Sequence, residues 1–396
     1  MKWLRKDRLR GGRLPSLGQD YTEAHRRYVE RVGEAAELWL RTKPFSAPPG
    51  RELVECLRVF SHIVSRLDLG VRAQVLDVGC GPGWLSEFLA RCGYAVTGVD
   101  VSEDMVEIAR ERIAAIEAPI GQGVEPLAEF HAMPVLGLPW RDRFDAAILY
   151  DAMHHFHDEI ETLRVIRQAL VPGGQIFIHE GVRPEPGSEG EQELVAEMEQ
   201  YGTLESPFDP GYLVSVLEEA GFEYVRRYAA VDELLDVSSP EDELRRIGER
   251  LAFPPMNTVI ALNPVPAELR NAEAQFGARI EATGSLRVLD DELALPVRVT
   301  NAGRSFWPSD PEGPPGLGSV TIGPYIDRTS GGRIELPRLA LARSLSAGES
   351  AEVELRIPGP AVNGQRELRI DAVREGIAWF ADYGSSPLVV QLPNGT

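Results

Sequence analysis

The chain has 396 residues, with 61 acidic side chains against 41 basic ones and a formal net charge of −20. A surface that negative repels phosphate polymers, so nucleic acid is excluded as an expected partner, and the length suggests two or three domains, each able to bury its own core. Hydrophobic residues at 43% and charged residues at 26% exclude disorder as the overall state. The three cysteines, Cys56, Cys80 and Cys92, lack metal-type spacing and support neither a disulfide scaffold nor a zinc site, so a cytoplasmic location is expected.

In chain order, residues 1–70 read as a basic tail and a helical extension. Lys2, Arg5, Lys6, Arg8, Arg10 and Arg13 face a single Asp7, a local balance of +5 that leaves −25 for the remainder. No apolar secretory core follows, and no run of about 18 apolar residues suits a bilayer. The tail is either a solvated end or a weak contact for an anionic membrane surface, where each basic residue gains about 1 kcal/mol. Two helical runs follow, YTEAHRRYVERVGEAAELWL and RELVECLRVFSHIVSRLDL, broken by KPFSAPPG. From Gln74 short apolar runs (VLDVG, YAVTGVD, FDAAILY, GQIFIHE) alternate with helix-like stretches, the pattern of parallel strands joined by crossover helices. Residues 71–263 are thus expected to form an α/β domain, ending in the strand candidates GFEYVRRYAA and NTVIALN. A helical linker is expected over 264–283, from PAELRNAEAQFGARIEA. Over 284–396 strand-like runs recur between Gly, Pro, Asn and Asp turns, which suggests an antiparallel sandwich of about seven strands, the size of an immunoglobulin-like module.

The sharpest local pattern is VLDVGCGPGWLSEFLA. A strand ends at Gly79, and Gly79, Gly81 and Gly83 let the backbone turn tightly and approach a ligand before a helix begins. The spacing GxGxG differs from the dinucleotide GxGxxG and lacks the Lys and Ser/Thr of a phosphate-binding loop. Asp100 ends the next strand, 23 residues after Asp77. A carboxylate there is placed to accept hydrogen bonds from two ribose hydroxyls. The competing reading makes Asp100 the cap of the helix SEDMVEIARERI.

With these residues in place, residues 72–262 resemble the class I S-adenosylmethionine-dependent methyltransferases. The resemblance rests on VLDVGCGPG, VTGVDVS, FDAAILYDAMHHF and LVPGGQIFIHE. It implies a Rossmann-like seven-stranded sheet with an antiparallel last strand and S-adenosyl-L-methionine as cofactor. Asp77 with Gly79, Cys80, Gly81, Pro82 and Gly83 would surround the methionine part, and Asp100 would hold the ribose. Val101, Ser102 and Met105 would lie beside the adenine. The family often carries an acid after the third strand; here Met133 and Pro134 occupy that place, so adenine recognition is expected from backbone groups and apolar packing at Met133. Tyr150 and Asp151 are placed to line the cofactor pocket.

Methyl transfer needs alignment above all, and a hydroxyl acceptor also benefits from a base near neutral pKa. His154 and His155 follow the fourth strand, where the family exposes residues toward the transferred methyl, so either is a candidate base or else a packing residue. His157 reads as helix-start packing, and Glu180, ending the fifth strand, is a reserve base. The stretch 187–212 interrupts the α/β alternation and is either an acceptor lid, through Tyr201 and Phe208, or a surface excursion. Histidines and carboxylates show no ligand spacing along the chain, so no catalytic metal is expected.

In the β region Trp307, Tyr325, Trp379, Phe380 and Tyr383 would either stack on sugar rings or fill the core. Adjacent Trp379 and Phe380 on one strand would put one side chain in and one out. The patches LPVRVTNAGRSFWPSD, GSVTIGPYIDR and RIDAVREGIAWFADYGSSP resemble an immunoglobulin-like domain found at the ends of bacterial polysaccharide-cluster proteins. That resemblance implies O-methylation of a hydroxyl on a saccharide or its lipid-linked precursor. The alternatives are methylation of a quinone-like or natural-product phenol, and a non-catalytic scaffold that recruits partners through the β module.

Overall fold

The computed structural model describes residues 26, 30, 33–45, 51–67, 69, 72–116, 127–201, 205, 207–231, 238–252, 254–265, 276–289, 291–309, 318–328, 332–362 and 364–392. The basic segment 2–13 lies outside them. Two compact units form, one from Met1–Trp140, Ala146–Leu170 and Gly174–Pro264, the other from Arg141–Asp145, Val171–Gly173 and Val265–Thr396.

The first unit is built on one sheet. Strands β1 (Gln74–Val78), β2 (Ala95–Asp100), β3 (Leu127–Ala132), β4 (Phe144–Tyr150), β5 (Leu170–Gly181), β6 (Glu223–Tyr228) and β7 (Met256–Leu262) lie in the order β3-β2-β1-β4-β5-β7-β6. β1 runs parallel to β2 and β4, and β2 parallel to β3. β7 is antiparallel to both β5 and β6, the Rossmann-like arrangement with a reversed last strand that the motifs implied. The run QVLDV is buried at every position, as a central strand covered on both faces requires.

Helices α1 (Glu34–Thr42) and α2 (Arg51–Leu67) precede the sheet. In α2, Cys56, Val59, Ile63 and Leu67 recur every three or four residues and are buried against Val75, Ile148, Phe177 and Ile260 of the strands. α3 (Trp84–Arg91) joins β1 to β2, α4 (Glu103–Ala114) leaves β2, and α5 (Glu159–Ala169) leads into β5. After β5 come α6 (Glu189–Tyr201), α7 (Pro210–Glu219) and α8 (Pro240–Ala252). No described helix is long and apolar enough to cross a membrane.

The second unit is all β. Its strands are β8 (Ala278–Ala282), β9 (Arg287–Val288), β10 (Glu292–Asn301), β11 (Val320–Asp327), β12 (Arg333–Glu335), β13 (Leu339–Ala340), β14 (Ser350–Pro358), β15 (Glu367–Arg374), β16 (Ala378–Trp379) and β17 (Leu388–Gln391). One sheet runs β14-β10-β8 with β9 on β10; the other runs β12-β11-β15-β16 with β13 on β11 and β17 on β15. Leu293, Leu295 and Val297 of the first sheet share an apolar core with Ile322, Leu368 and Ile370 of the second. Ten strands thus form among the described residues where about seven were expected.

Two expectations are corrected here. The helix expected over 264–283 does not reach its end: residues 266–275 lie outside the described residues, and Ala278–Ala282 is a strand paired with β10. Ile280 is buried and its neighbours Arg279 and Glu281 are exposed, a period of two that suits a sheet edge. The aromatic platform also fails, since Trp307, Tyr325, Trp379 and Phe380 are all buried and only Tyr383, 59% accessible, is open to solvent. Phe380, which begins a 3-10 turn (Phe380–Tyr383) directly after β16, lies in the core shared by the two sheets, whereas Trp379 packs with Tyr325 and Val373 in a separate cluster beneath Arg333 and Arg338, so the pair is divided between two sides as the alternation requires.

Candidate active site

The carboxyl ends of β1, β2 and β4 surround a cavity of about 510 Å³, a size suited to a small organic ligand. Its floor is the turn between β1 and α3. Gly79 and Cys80 both donate backbone N–H bonds to the Val99 carbonyl, at 2.8 and 3.1 Å, which holds the turn against β2. Gly79 and Gly83 take positive φ of 70° and 77°, where side chains are strained. Space demands glycine as well: a Cβ at Gly79 would sit 2.5 Å from the Ala152 Cβ, and one at Gly83 2.6 Å from the Ala109 Cβ. A Cβ at Gly81 would meet no protein atom within 4 Å, because that residue borders the cavity.

Asp100 organises the wall. Its Oδ2 accepts from the Gly81 N–H at 3.0 Å and its Oδ1 from the Ser102 N–H at 2.9 Å. The helix cap is Ser102, whose hydroxyl accepts from the Met105 N–H, so Asp100 holds the turn rather than capping α4. Asp100 also lines the cavity, where a carboxylate is the group that accepts from a ligand hydroxyl. Val101, Ser102, Met105 and Met133 line the same wall, as do Pro134, Val135 and Leu136 beyond β3. The Met133 N–H donates to the Asp100 carbonyl at 2.8 Å. A nucleoside with a short amino-acid arm, the shape of S-adenosylmethionine, fits this donor set: carboxylate, glycine backbone and an apolar slot.

Of the other residues singled out in the sequence, Pro82 lines the cavity, whereas Asp77, Cys80, Gly83, Tyr150 and His154 do not. Asp77 is buried beneath the turn and accepts from the Ser86 hydroxyl at 2.6 Å. Burial pushes its carboxyl up to about 6, against the Ser86 hydrogen bond and with help from the nearby Asp100 charge. Burial likewise pushes up the Cys80 thiol. Tyr150 packs behind the cavity, stacked on His179 at 5.7 Å and edge-on to Trp84 at 5.3 Å.

The exit of β4 forms the opposite wall, where Asp151, Ala152, His155, Phe156, His157 and Asp158 line the cavity. Behind it lies a buried polar cluster. Glu180, fully buried at the end of β5, accepts from the Ala152 and Met153 N–H groups at 2.9 and 2.6 Å. Its other oxygen lies 2.8 Å from His154 Nδ1. Glu205, from the stretch after α6, approaches His154 Nε2 at 3.2 Å and His155 Nδ1 at 3.4 Å. Burial disfavours a charged His154, but its hydrogen bonds to Glu180 and Glu205 outweigh that and raise its pKa well above the ordinary value. Each ring nitrogen of His154 thus faces a carboxylate.

The donor atoms of His154, His155 and Glu205 lie within 4.8 Å of one another, as do those of Asp151, His154 and Glu180. Ligand spacing absent along the chain is thus produced by folding. Glu205 itself was invisible to sequence reading, because 50 residues separate it from His155 and no motif surrounds it. Phe208, expected to touch an acceptor, is instead fully buried. It stitches the returning chain to β5 through its N–H to the Gly181 carbonyl and its carbonyl to the Arg183 N–H. The Tyr201 side chain lies outside the described residues.

Parts of this chain are similar to known proteins. Residues 75–174 match a family model described as a methyltransferase domain. The methyltransferase GfsG of Streptomyces halstedii is 34% identical over 137 residues, 34% of this chain and 46% of that one. The ubiquinone biosynthesis O-methyltransferase of Xanthomonas oryzae is 32% identical over 117 residues, 30% of this chain and 46% of that one. The chain thus spans about half the length of these curated relatives. Among solved structures, the Haemonchus contortus phosphoethanolamine N-methyltransferase 2 in complex with S-adenosyl-L-methionine aligns at 18% identity and a TM-score of 0.46, over 63% of this chain and 60% of its own. Within its first unit, the chain carries an S-adenosylmethionine-dependent methyltransferase domain.

Proposed function

We propose that this protein O-methylates a hydroxyl of a small organic acceptor, with His155 as the general base. The observation that carries the reading is that His155 lines the same cavity as Gly79, Gly81 and Asp100. S-adenosylmethionine supplies an activated methyl group when bound. The protein's task is to align the acceptor with that methyl, and orientation of this kind can supply about 7–11 kcal/mol. The acceptor O–H bond breaks and its proton passes to His155. The oxygen bonds the methyl carbon while the carbon–sulfur bond breaks, its electron pair remaining on sulfur. Asp100 and the turn around Gly81 hold the nucleoside, while Met105, Met133 and Leu136 exclude water. His154, with each ring nitrogen beside a carboxylate, has no lone pair to offer an acceptor, which leaves the base role to His155.

The class of acceptor follows two lines of support. Sequence patches of the second unit resemble the immunoglobulin-like domain of polysaccharide-cluster proteins and favour a saccharide or lipid-linked saccharide. A phenolic acceptor is favoured by the likeness to a ubiquinone biosynthesis O-methyltransferase and by the apolar cavity wall. Of the five aromatic side chains offered for sugar stacking, Trp307, Tyr325, Trp379 and Phe380 are buried and Tyr383 alone is open to solvent, which weakens the saccharide reading. Methyl-labelled S-adenosylmethionine incubated with the protein and two panels, oligosaccharides and catechols, separates them by which panel takes label. On the acceptor so found, His155→Ala is expected to slow single-turnover transfer by about 10²–10⁴-fold, the usual worth of a general base, with cofactor affinity unchanged. A rate within tenfold of the parent would remove His155 as base.

A further inference from the structure

Glu205 divides its carboxylate between two neighbouring imidazoles. Oε2 lies 3.2 Å from His154 Nε2, and Oε1 lies 3.4 Å from His155 Nδ1. The carboxylate is buried, and the chain three residues later is fixed to the end of β5. There Phe208 donates to the Gly181 carbonyl and accepts from Arg183, each at 3.2 Å, and the Asn257 side-chain amide donates to the Phe208 carbonyl at 2.8 Å. His154 is held from its other side by Glu180, so it presents an N–H to Glu205 and cannot act as an acceptor toward it. The two rings stand 4.0 Å apart at 52°.

We propose that Glu205 is a positioning residue for the proposed proton abstraction: Oε1 accepts the proton on His155 Nδ1 and thereby makes Nε2 the nitrogen that takes the acceptor's proton. The assignment rests on the reading of His155 as base. A neutral imidazole has one protonated and one basic nitrogen, and the partner of the first decides which is which. Glu205 Oε2 faces His154 Nε2, so the other oxygen, Oε1, faces His155 as the acceptor. When Nε2 takes the acceptor's proton, the imidazolium that forms already adjoins a carboxylate, which stabilises it. Glu205 touches neither acceptor nor cofactor in this scheme; it acts through His155.

Ring-nitrogen NMR of the full chain, labelled with ¹⁵N-histidine and saturated with S-adenosylhomocysteine, reads the tautomer directly. The parent is expected to carry His155 as the Nδ1–H form. In Glu205→Gln one of the two oxygens becomes an NH2 donor; with the amide oxygen turned to His154, the NH2 faces His155 Nδ1, and the Nδ1–H to Nε2–H ratio of His155 is expected to fall by roughly 10- to 100-fold, the worth of a hydrogen bond to a charged acceptor. If the glutamine variant does not fold, Glu205→Asp, which draws the carboxylate back by one methylene, is expected to lower the ratio by a smaller factor. A parent with the proton on Nε2, or an unchanged ratio in either folded variant, overturns the assignment. Calorimetry separates the two levels: absent S-adenosylhomocysteine binding overturns the enzyme reading and this assignment together. Intact binding with an unmoved tautomer overturns this assignment alone.

Discussion

Asp77 is a carboxyl kept in the core at a cost, and Asp77→Asn should release that cost. The group is completely buried beneath the glycine turn, and burial lifts its pKa from 3.8 to about 6. At 1.36 kcal/mol per pH unit, the ionised form is about 3 kcal/mol less favourable in the folded chain than in water. Between pH 3.8 and about 6 the folded chain therefore retains a proton that the unfolded chain has released. Stability drawn from this group falls as pH rises through that window and is level above it. An asparagine keeps an oxygen for the Ser86 hydroxyl, 2.6 Å away, and carries no charge. Asp77→Asn should accordingly stabilise the first unit by about 1–3 kcal/mol at pH 7.5 and by close to nothing at pH 4. Urea unfolding of parent and variant at both pH values, followed by circular dichroism, measures the difference, and other titrating groups cancel. A variant less stable than the parent at pH 7.5, or a difference that ignores pH, would refute the reasoning. A stabilised variant with weakened cofactor binding would mark Asp77 as a group retained for function at the expense of stability.

Asp100→Ala removes the acceptor of two turn N–H groups and of any ligand hydroxyl. Calorimetry should show S-adenosylhomocysteine binding weakened by about 1.5–3 kcal/mol, or about 10- to 150-fold. Trp307 is fully buried and meets Phe380 edge-on at 5.2 Å in the second unit. Trp307→Ala should cost about 3–5 kcal/mol, visible as a lowered denaturant midpoint for that unit.

Legibility in the sequence followed the range of the interactions. The run VLDVG, the glycines and Asp100 act over a few residues, so their spacing carries both a strand–turn–helix unit and its ligand wall. The stripe Cys56, Val59, Ile63, Leu67 in α2 was legible for the same reason. Glu205 was not, because a single carboxylate reaches its partners only through the path that β5 and Phe208 impose. His154 and His155 are adjacent in sequence and chemically identical on paper, and they differ only in what folding places around them. One lies between two carboxylates, and the other borders the cavity. In the β unit, the alternation that divides Trp379 from Phe380 was legible, whereas the helical texture of 278–282 gave way to pairing with β10 that no local pattern announces.

The 2.5 Å that would separate a Cβ at Gly79 from the Ala152 Cβ has a practical consequence for redesign. Donor site and base segment share a partition with no slack, so the pocket cannot be enlarged there without deforming both. Room for a bulkier acceptor lies instead beside His155, where the half-buried Phe156 borders the cavity and can be trimmed while the partition stays intact. Libraries that seek new acceptors should therefore vary position 156 and leave positions 79 and 152 untouched.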